Sequence, residues 1–173
     1  MSRIRSELLL DAVAETGRTS SYVAGTPKLV AQVLAGIPVF AGLSGRQRRR
    51  IAEQAEIAEI KAGTSIMREG FTGEAAFVLL TGAARVERAG VPTAEVASGT
   101  VIGELSLLTG RPRSATVTAT RDVWVLRIRR ATFRRLLERE PAIAVHLLEN
   151  VGQRLWDAEQ EMARGDRRGS PLF

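Results

Sequence analysis

The segment from Ile57 to Ile128 restricts the fold most strongly, because short strand-like runs alternate there with turns that contain glycine or charged residues. The runs are Ile57–Ile60, Ser65–Arg68, Ala75–Leu80, Ala83–Arg88, Ala94–Val96, Ser114–Ala119 and Val123–Ile128. Many short strands at this spacing are typical of a β-sandwich or barrel. We therefore predict a mainly β fold with flanking helices, in which about eight short antiparallel strands form a β-barrel or jelly roll.

The residues before this segment are predicted to be helical only in part. Weak helical patterns cover Ile4–Val13 and Leu29–Leu34, and Gly17–Gly25 is predicted to be a loop or a disordered linker. Ser44 is a suitable N-cap for a helix from about Gly45 to Glu56. Residues 1–36 are therefore expected to be a tail with weak helices, ahead of a domain that begins at residue 37.

Helical patterns return after the last strand-like run. Thr132 is the predicted N-cap of a first helix, and Pro141 favours the start of a second, longer one. Gly165 is expected to end that second helix at about Arg164. The domain is thus predicted to span residues 37–164, and residues 165–173 are predicted to form a disordered tail.

The composition excludes several classes of protein. The 173 residues contain no cysteine, and His146 is the single histidine. Disulfides and zinc–thiolate sites are therefore excluded, and a Ser-His-Asp hydrolase or a metalloenzyme has almost no residues to use. No apolar run approaches the ~18 residues of a membrane span, and the N-terminus lacks the pattern of a signal peptide. We expect a cytoplasmic protein that is not an enzyme and holds no metal.

The formal net charge of +6 comes almost entirely from arginine, since Lys28 and Lys61 are the only lysines among 25 basic residues. Arginines cluster at residues 46–50 and again at residues 127–139. A nucleic acid or another anionic partner is one interpretation of these clusters. Glutamates lie among the arginines and Phe133 is the single aromatic residue within the two clusters, so we favour a solvated face as the interpretation.

The most informative segment runs from Ile102 to Val117. Gly103 permits a positive φ, and the next residues, Glu104–Leu108, are long enough for one helical turn whose first N–H groups lack partners. Such a glycine-flanked helix start favours an anion. Arg113 and Ser114 follow at the start of a strand and offer further donors to that anion. A carboxylate beside an anion site is explained if the ligand also carries hydroxyl groups, as a ribose does.

This segment resembles the phosphate-binding cassette of cyclic nucleotide-binding domains. The matching motifs are Gly103-Glu104-Leu105-Ser106-Leu107 and Pro112-Arg113-Ser114-Ala115-Thr116-Val117. The family occurs in bacterial catabolite activators, cyclic-nucleotide-dependent kinases and cyclic-nucleotide-gated channels, and the resemblance extends over about residues 37–163. It implies a jelly roll followed by a B-helix and a long C-helix.

The resemblance also implies a role for each motif residue. Glu104 is expected to accept a hydrogen bond from the ribose 2′-hydroxyl, and Arg113 to pair with the cyclic phosphate. The remaining positions expected at the phosphate are Gly103 and Leu105, through their backbone N–H groups, and Ser114 and Ala115. The ligand is thus expected to be cAMP or, less favoured, cGMP.

The base side of the site is predicted from the barrel and the C-helix. The expected apolar wall consists of Leu80, Val96, Ile102 and Val117. Trp156, on the C-helix, either caps the base or packs between the helix and the barrel. Because residues 155–159 contain no serine or threonine that reads an adenine amino group, the choice of base stays open on this evidence.

The expected function is a regulatory sensor that binds a cyclic purine nucleotide and passes ligand occupancy to a protein partner or through a homodimer. No helix-turn-helix pattern follows the C-helix, so a stand-alone module is the favoured interpretation, and DNA and membranes are not expected partners. The predicted dimer seam on that helix is Leu148, Val151, Leu155, Ala158 and Met162. The alternative is a truncated or atypical DNA-binding transcriptional regulator of the activator type.

Overall fold

The computed structural model describes residues 27–168, so the predictions for Ile4–Val13 and Gly17–Gly25 lie outside the described residues. Its helices are α1 (Pro27–Leu34), a 3₁₀ turn (Pro38–Phe40), α2 (Gly45–Glu53), α3 (Glu104–Thr109), α4 (Arg130–Arg139) and α5 (Pro141–Arg168). Its strands are β1 (Glu56–Ile60), β2 (Ser65–Met67), β3 (Ala75–Leu79), β4 (Ala83–Arg88), β5 (Val91–Ala97), β6 (Val101–Ile102), β7 (Thr116–Ala119) and β8 (Val123–Arg129).

The strands form two four-stranded antiparallel sheets, which confirms the predicted jelly roll. One sheet has the order β1-β8-β3-β6, and the other has the order β2-β7-β4-β5. Strand β3 lies inside the first sheet, where it pairs with β8 on one side and β6 on the other. The short strand β6 is absent from the strand-like runs of the sequence, because two residues are too few to show an alternation.

Strand β3 separates two apolar clusters, since successive side chains of a strand point to opposite faces. Ala75, Phe77 and Leu79 face the second sheet and belong to the smaller cluster. Ala76 and Val78 face the helices and belong to the larger cluster. All five residues of β3 are buried. The cassette segment runs from β6 to β7. Because β6 pairs with β3, the segment starts beside a strand that is packed on both faces.

The helices pack on the outer face of the first sheet. The larger cluster contains buried residues of α1 (Val30, Ala31, Val33 and Leu34) together with Phe133 of α4 and Ile143 and Leu147 of α5. Helix α1 therefore packs into the same core, although it lies before the predicted domain start at residue 37. No helix within residues 27–168 is both long enough and apolar enough to cross a bilayer.

The predicted cap of α2 is confirmed. Gln47 N donates to Ser44 Oγ over 3.3 Å, and Ser44 N donates to Gln47 Oε1 over 2.6 Å, which together form a capping box. The helix ends at Glu53 rather than at Glu56, because Glu56 begins strand β1.

The predicted cap of α4 is wrong. The helix begins at Arg130, two residues before Thr132, and no side chain caps it. The backbone N–H of Arg130 donates instead to Glu74 O over 2.9 Å. A tertiary contact with the turn before β3 thus satisfies the first N–H group of the helix, which has no partner inside the helix.

Helix α5 begins at Pro141, as predicted, and continues to Arg168 rather than ending at Arg164. Gly165 therefore lies inside the helix. A single glycine costs an exposed helix only about 1 kcal/mol relative to alanine, so it does not by itself end a long helix.

Candidate functional site

Helix α3 lies beside a cavity with a volume of about 500 Å³. Gly103 precedes the helix with φ +79°, and Gly110 follows it with φ +73°. The cavity is lined by Met67, Val86, Arg88, Thr93, Ala94, Val96, Ile102, Gly103, Glu104, Leu105, Ser106, Arg113, Ser114, Ala115, Val117, Arg154, Asp157 and Ala158. It thus lies between the inner face of the second sheet, α3 and the middle of α5.

All six motif residues that the sequence predicts for the site line this one cavity. They are Gly103, Glu104, Leu105, Arg113, Ser114 and Ala115. Three residues of the predicted apolar wall, Val96, Ile102 and Val117, line it as well. The fourth, Leu80, does not: its side chain is buried in the larger cluster against the helices. Leu80 follows the end of β3, where its N–H donates to Trp124 O over 2.7 Å.

Arg113 is held rigidly at the inner end of the cavity. Its side chain is 7% exposed, and Nη1 donates to Gly103 O over 2.7 Å and to Ser106 Oγ over 2.8 Å. Nη2 donates to Ala75 O over 2.5 Å. Burial lowers the pKa of the Arg113 guanidinium below its usual range, and the nearby charge of Arg130 lowers it further. Arg113 therefore fastens α3 to β3.

Two glycines provide the space that Arg113 occupies. A Cβ on Gly73 would lie 2.1 Å from Ser106 Oγ and 2.7 Å from Arg113 Cζ. A Cβ on Gly103 would lie 2.3 Å from Arg113 Nη1. Sequence reasoning identified Gly103 by its motif but missed Gly73, because the contact joins residues that are distant along the chain.

Glu104 is the most deeply buried acidic residue of the described chain, with 2% of its surface exposed. Its Oε1 accepts a hydrogen bond from Arg154 Nη2, which makes an ion pair between α3 and α5. The Arg154 side chain itself is half exposed. Sequence reasoning missed Arg154, because nothing in the chain distinguishes it from the many other arginines.

Trp156 does not lie at the cavity in the structure, so its role as a cap over the base stays a prediction. The Trp156 side chain is 59% exposed and does not line the cavity, whereas Arg154, Asp157 and Ala158 do. A helix turns by roughly 100° per residue, so residue 156 points away from the face that residues 154, 157 and 158 share. The alternative is that Trp156 packs between the helix and the barrel. A side chain that is 59% exposed contradicts this alternative.

A second cavity of about 280 Å³ lies on the other side of the Glu104–Arg154 pair. The 3₁₀ turn, the loop at residues 98–100 and helix α5 line it. Glu104 and Arg154 line both cavities. Within residues 27–168, no group of three or more His, Cys, Asp and Glu residues is arranged to hold a metal ion.

Comparison with known proteins identifies one family. A model of the cyclic nucleotide-binding domain matches residues 57–140. The cAMP-dependent protein kinase regulatory subunit of Aspergillus fumigatus is 36% identical over 103 residues, which cover 58% of this chain and 25% of that protein. A cyclic nucleotide-gated potassium channel of Rhizobium etli is 32% identical over 113 residues, which cover 65% of this chain and 32% of the channel.

Solved structures that resemble the chain include further proteins of this kind. A PKAR CBD2 domain bound to Sp-2Cl-cAMPS has a TM-score of 0.67 at 26% identity and covers 77% of this chain and 91% of that chain. The catabolite activator protein of Thermus thermophilus has a TM-score of 0.67 at 27% identity and covers 75% of this chain and 63% of that chain. The chain spans about a quarter of the length of the kinase regulatory subunits it matches.

Proposed function

Residues 57–140 make the chain a member of the cyclic nucleotide-binding domain family, and on this premise we propose that the cavity beside α3 binds a 3′,5′-cyclic purine nucleotide. One observation carries the proposal: the fold brings Gly103, Glu104, Arg113 and Ser114 together at a single cavity of about 500 Å³. That volume lies within the ordinary range for small-molecule sites, about 300–1,000 Å³.

The proposed ligand would use two charged groups near the start of α3, the Arg113 guanidinium and the Glu104 carboxylate. Arg113 donates three hydrogen bonds to protein acceptors within the described residues, whereas a guanidinium group carries five N–H donors. Two donors and the positive charge therefore stay available for the cyclic phosphate. Glu104 has its second carboxylate oxygen, Oε2, for the ribose 2′-hydroxyl, since the hydrogen bond from Arg154 is made to Oε1.

We propose cAMP as the preferred ligand, because a cAMP-dependent protein kinase regulatory subunit and a domain bound to Sp-2Cl-cAMPS are among the similar proteins, and cGMP is the second candidate. The apolar wall of Val96, Ile102 and Val117 accepts either purine. Asp157 also lines the cavity, and this observation favours guanine: the N1–H and amino groups of guanine donate to a carboxylate, whereas N1 of adenine is an acceptor. The two nucleotides must therefore be compared directly.

Thermal unfolding tests the proposal. At a ligand concentration of 100 times the Kd, binding stabilises the folded state by about 2.7 kcal/mol, which raises the Tm of a domain of this size by about 5–10 °C. We expect such a rise with cAMP, a rise of similar or smaller size with cGMP, and none with 5′-AMP at the same concentration. An unchanged Tm with both cyclic nucleotides would contradict the proposal.

We further propose that the chain is a non-catalytic regulatory module of the cytoplasm that transmits ligand occupancy to a protein partner. The similarity to kinase regulatory subunits and to a gated channel supports this part. Helix α5 would carry the signal, because it lines the cavity on one face and leaves the other face open to a partner. The DNA-binding alternative has only the arginine clusters in its support and is not part of the proposal.

We also propose a homodimer that forms through the same helix. Of the predicted seam, Leu148 and Leu155 are exposed, and Val145 and Trp156 extend their stripe along the helix face opposite the cavity. Ala158 lines the cavity instead, and Met162 lies outside the residues whose side chains the structure describes.

We expect light scattering to show a dimer, and Leu155→Glu to convert it to a monomer because a carboxylate in the seam would be desolvated. Val91→Glu is the matched control, since Val91 is an equally exposed apolar residue on strand β5. A wild-type monomer at high concentration, with and without cyclic nucleotide, would contradict the homodimer.

A further inference from the structure

A groove between α2 and α4, called the α2–α4 groove below, shares no lining residue with either of the two cavities described above. Gln47 Nε2 donates a hydrogen bond to Glu140 Oε2 where α2 begins and α4 ends. Just after α2 and just before α4, Glu56 pairs with Arg127 in the sheet. The two helices therefore run in opposite directions along the groove, over roughly 10 Å of helix axis.

The α2–α4 groove has an apolar floor and a basic rim. Ile51, which is buried, and Leu136, which is half-buried, form the floor. The exposed side chains of Arg50, Arg135 and Arg139 form the rim. The enclosed volume is about 40 Å³, whereas small-molecule sites have about 300–1,000 Å³. The groove is thus suited to side chains that a protein partner inserts rather than to a nucleotide-sized ligand.

The rim arginines lack ionic partners among the described residues. Within that part of the chain, no hydrogen bond or ion pair engages the guanidinium groups of Arg50 and Arg139, and Arg135 donates only to Thr132 Oγ1, over 3.5 Å. Glu140 also lines the groove, but its carboxylate already accepts a hydrogen bond from an amide side chain of α2. The groove therefore carries an excess of positive charge, which is complementary to carboxylates of another molecule.

We propose that the α2–α4 groove binds an acidic amphipathic helix of a protein partner. Two carboxylates four residues apart on that helix match Arg135 and Arg139, which have the same spacing on α4. Arg50 contacts the bound helix from the α2 side, and an apolar residue of the partner covers the floor of the groove. Such binding is the helix-in-groove mode of recognition. It goes beyond the proposed function, because it uses a surface separate from the nucleotide site.

A nucleic acid fits this surface less well. None of the described side chains that line the groove is aromatic, so the groove offers no stacking surface to a base. A phosphate backbone would also face the Glu140 carboxylate and would leave the apolar floor without a partner. An acidic helix with an apolar stripe satisfies both the rim and the floor.

Fluorescence anisotropy with a designed peptide tests the inference on the full chain. The probe is a labelled peptide of about 15 residues of Glu, Leu and Ala, in which Glu and Leu share one face of a helix. At low ionic strength we expect a Kd of about 10–100 μM, and weaker binding as salt is added. Exchange of the peptide's Glu for Lys should abolish binding, and exchange of its Leu for Ala should weaken binding by about 10-fold. Failure of the Glu–Leu peptide to bind would overturn the inference, as would equal binding of the peptide without Leu.

Charge reversal in the protein shows where the peptide binds. In the double variant Arg135→Glu/Arg139→Glu both matched contacts become repulsive, so we expect binding to weaken by about 10-fold to 30-fold. Arg46→Glu/Arg134→Glu is the matched control, because it makes the same change in net charge on the same two helices at exposed arginines that do not line the groove. The control should stay within about threefold of the wild type. Equal weakening by the two double variants would overturn the inference, since diffuse charge rather than the groove would then bind the peptide.

Two further measurements test the other occupants of the groove. At physiological salt we expect a DNA duplex at equal concentration to leave the peptide bound; a duplex that displaces the peptide would overturn the inference in favour of a nucleic acid. Light scattering should show the same oligomeric state for Arg135→Glu/Arg139→Glu and the wild type. Dissociation of a wild-type dimer by this variant would overturn the inference in favour of a second copy of the chain. All arms are run without cyclic nucleotide, so their outcome is independent of the proposed function.

Discussion

Replacement of Arg113 by alanine is expected to weaken cyclic nucleotide binding by about 10-fold to 100-fold and to destabilise the fold as well. The loss of affinity follows from removing the cation at the proposed phosphate position. The loss of stability follows from the three protein acceptors that Arg113 satisfies: Gly103 O, Ser106 Oγ and Ala75 O. Buried acceptors left without donors, together with the empty volume, amount to about 2–5 kcal/mol of unfolding free energy.

The two effects are measured separately, by urea unfolding and by titration of the folded protein. Arg111→Ala is the control, because it removes the same charge from an exposed side chain two residues earlier in the chain. We expect this control to leave both affinity and stability within about 0.5 kcal/mol of the wild type. A folded Arg113→Ala protein with wild-type affinity would remove Arg113 from the proposed site.

Gly103→Ala is expected to cause the second large effect. The residue has φ +79°, which costs an L-residue about 1–2 kcal/mol. Its new Cβ would also lie 2.3 Å from Arg113 Nη1, and overpacking of this kind costs about 1–3 kcal/mol. The guanidinium has little room to withdraw, since Gly73 also lies close to it: a Cβ there would be 2.7 Å from Arg113 Cζ. We expect α3 or Arg113 to shift and nucleotide affinity to fall with the stability.

Gly110→Ala is a close control for this prediction. Gly110 has a similar φ of +73° at the other end of α3, but its added Cβ would meet no atom within 4 Å. In urea unfolding, Gly110→Ala should therefore lose only the unfolding free energy that corresponds to backbone strain. Gly103→Ala should lose clearly more unfolding free energy. Equal destabilisation by the two substitutions would show that the Arg113 contact does not depend on Gly103.

The barrel and the cassette are predictable from the sequence because their determinants are local. Apart from the two-residue strand β6, each strand carries its own apolar pattern and is bounded by its own turn. The cassette likewise needs only residues 103–115, whose order along the chain already specifies the turn, the short helix and the returning strand. Its six predicted residues accordingly line one cavity.

The parts that escaped prediction depend on contacts between distant segments. Gly73 is required because Ser106 and Arg113 occupy the space beside it, and Arg154 matters because its side chain reaches Glu104 of α3 from α5. A sequence pattern does not determine the angle at which α5 presents its faces to the barrel. The sequence therefore leaves Trp156 between a cap over the base and packing against the barrel, whereas the structure exposes it and places the neighbouring Asp157 at the cavity.

Isothermal titration of the wild-type protein with cAMP and cGMP tests the central claim most directly. We expect one nucleotide to bind per chain with a Kd of about 1 μM or lower, which corresponds to a binding free energy of about −8 kcal/mol or stronger. Titration with 5′-AMP under the same conditions should give no saturable heat. Absence of saturable binding for both cyclic nucleotides at concentrations up to about 1 mM, where only interactions weaker than about −4 kcal/mol would escape detection, would contradict the account.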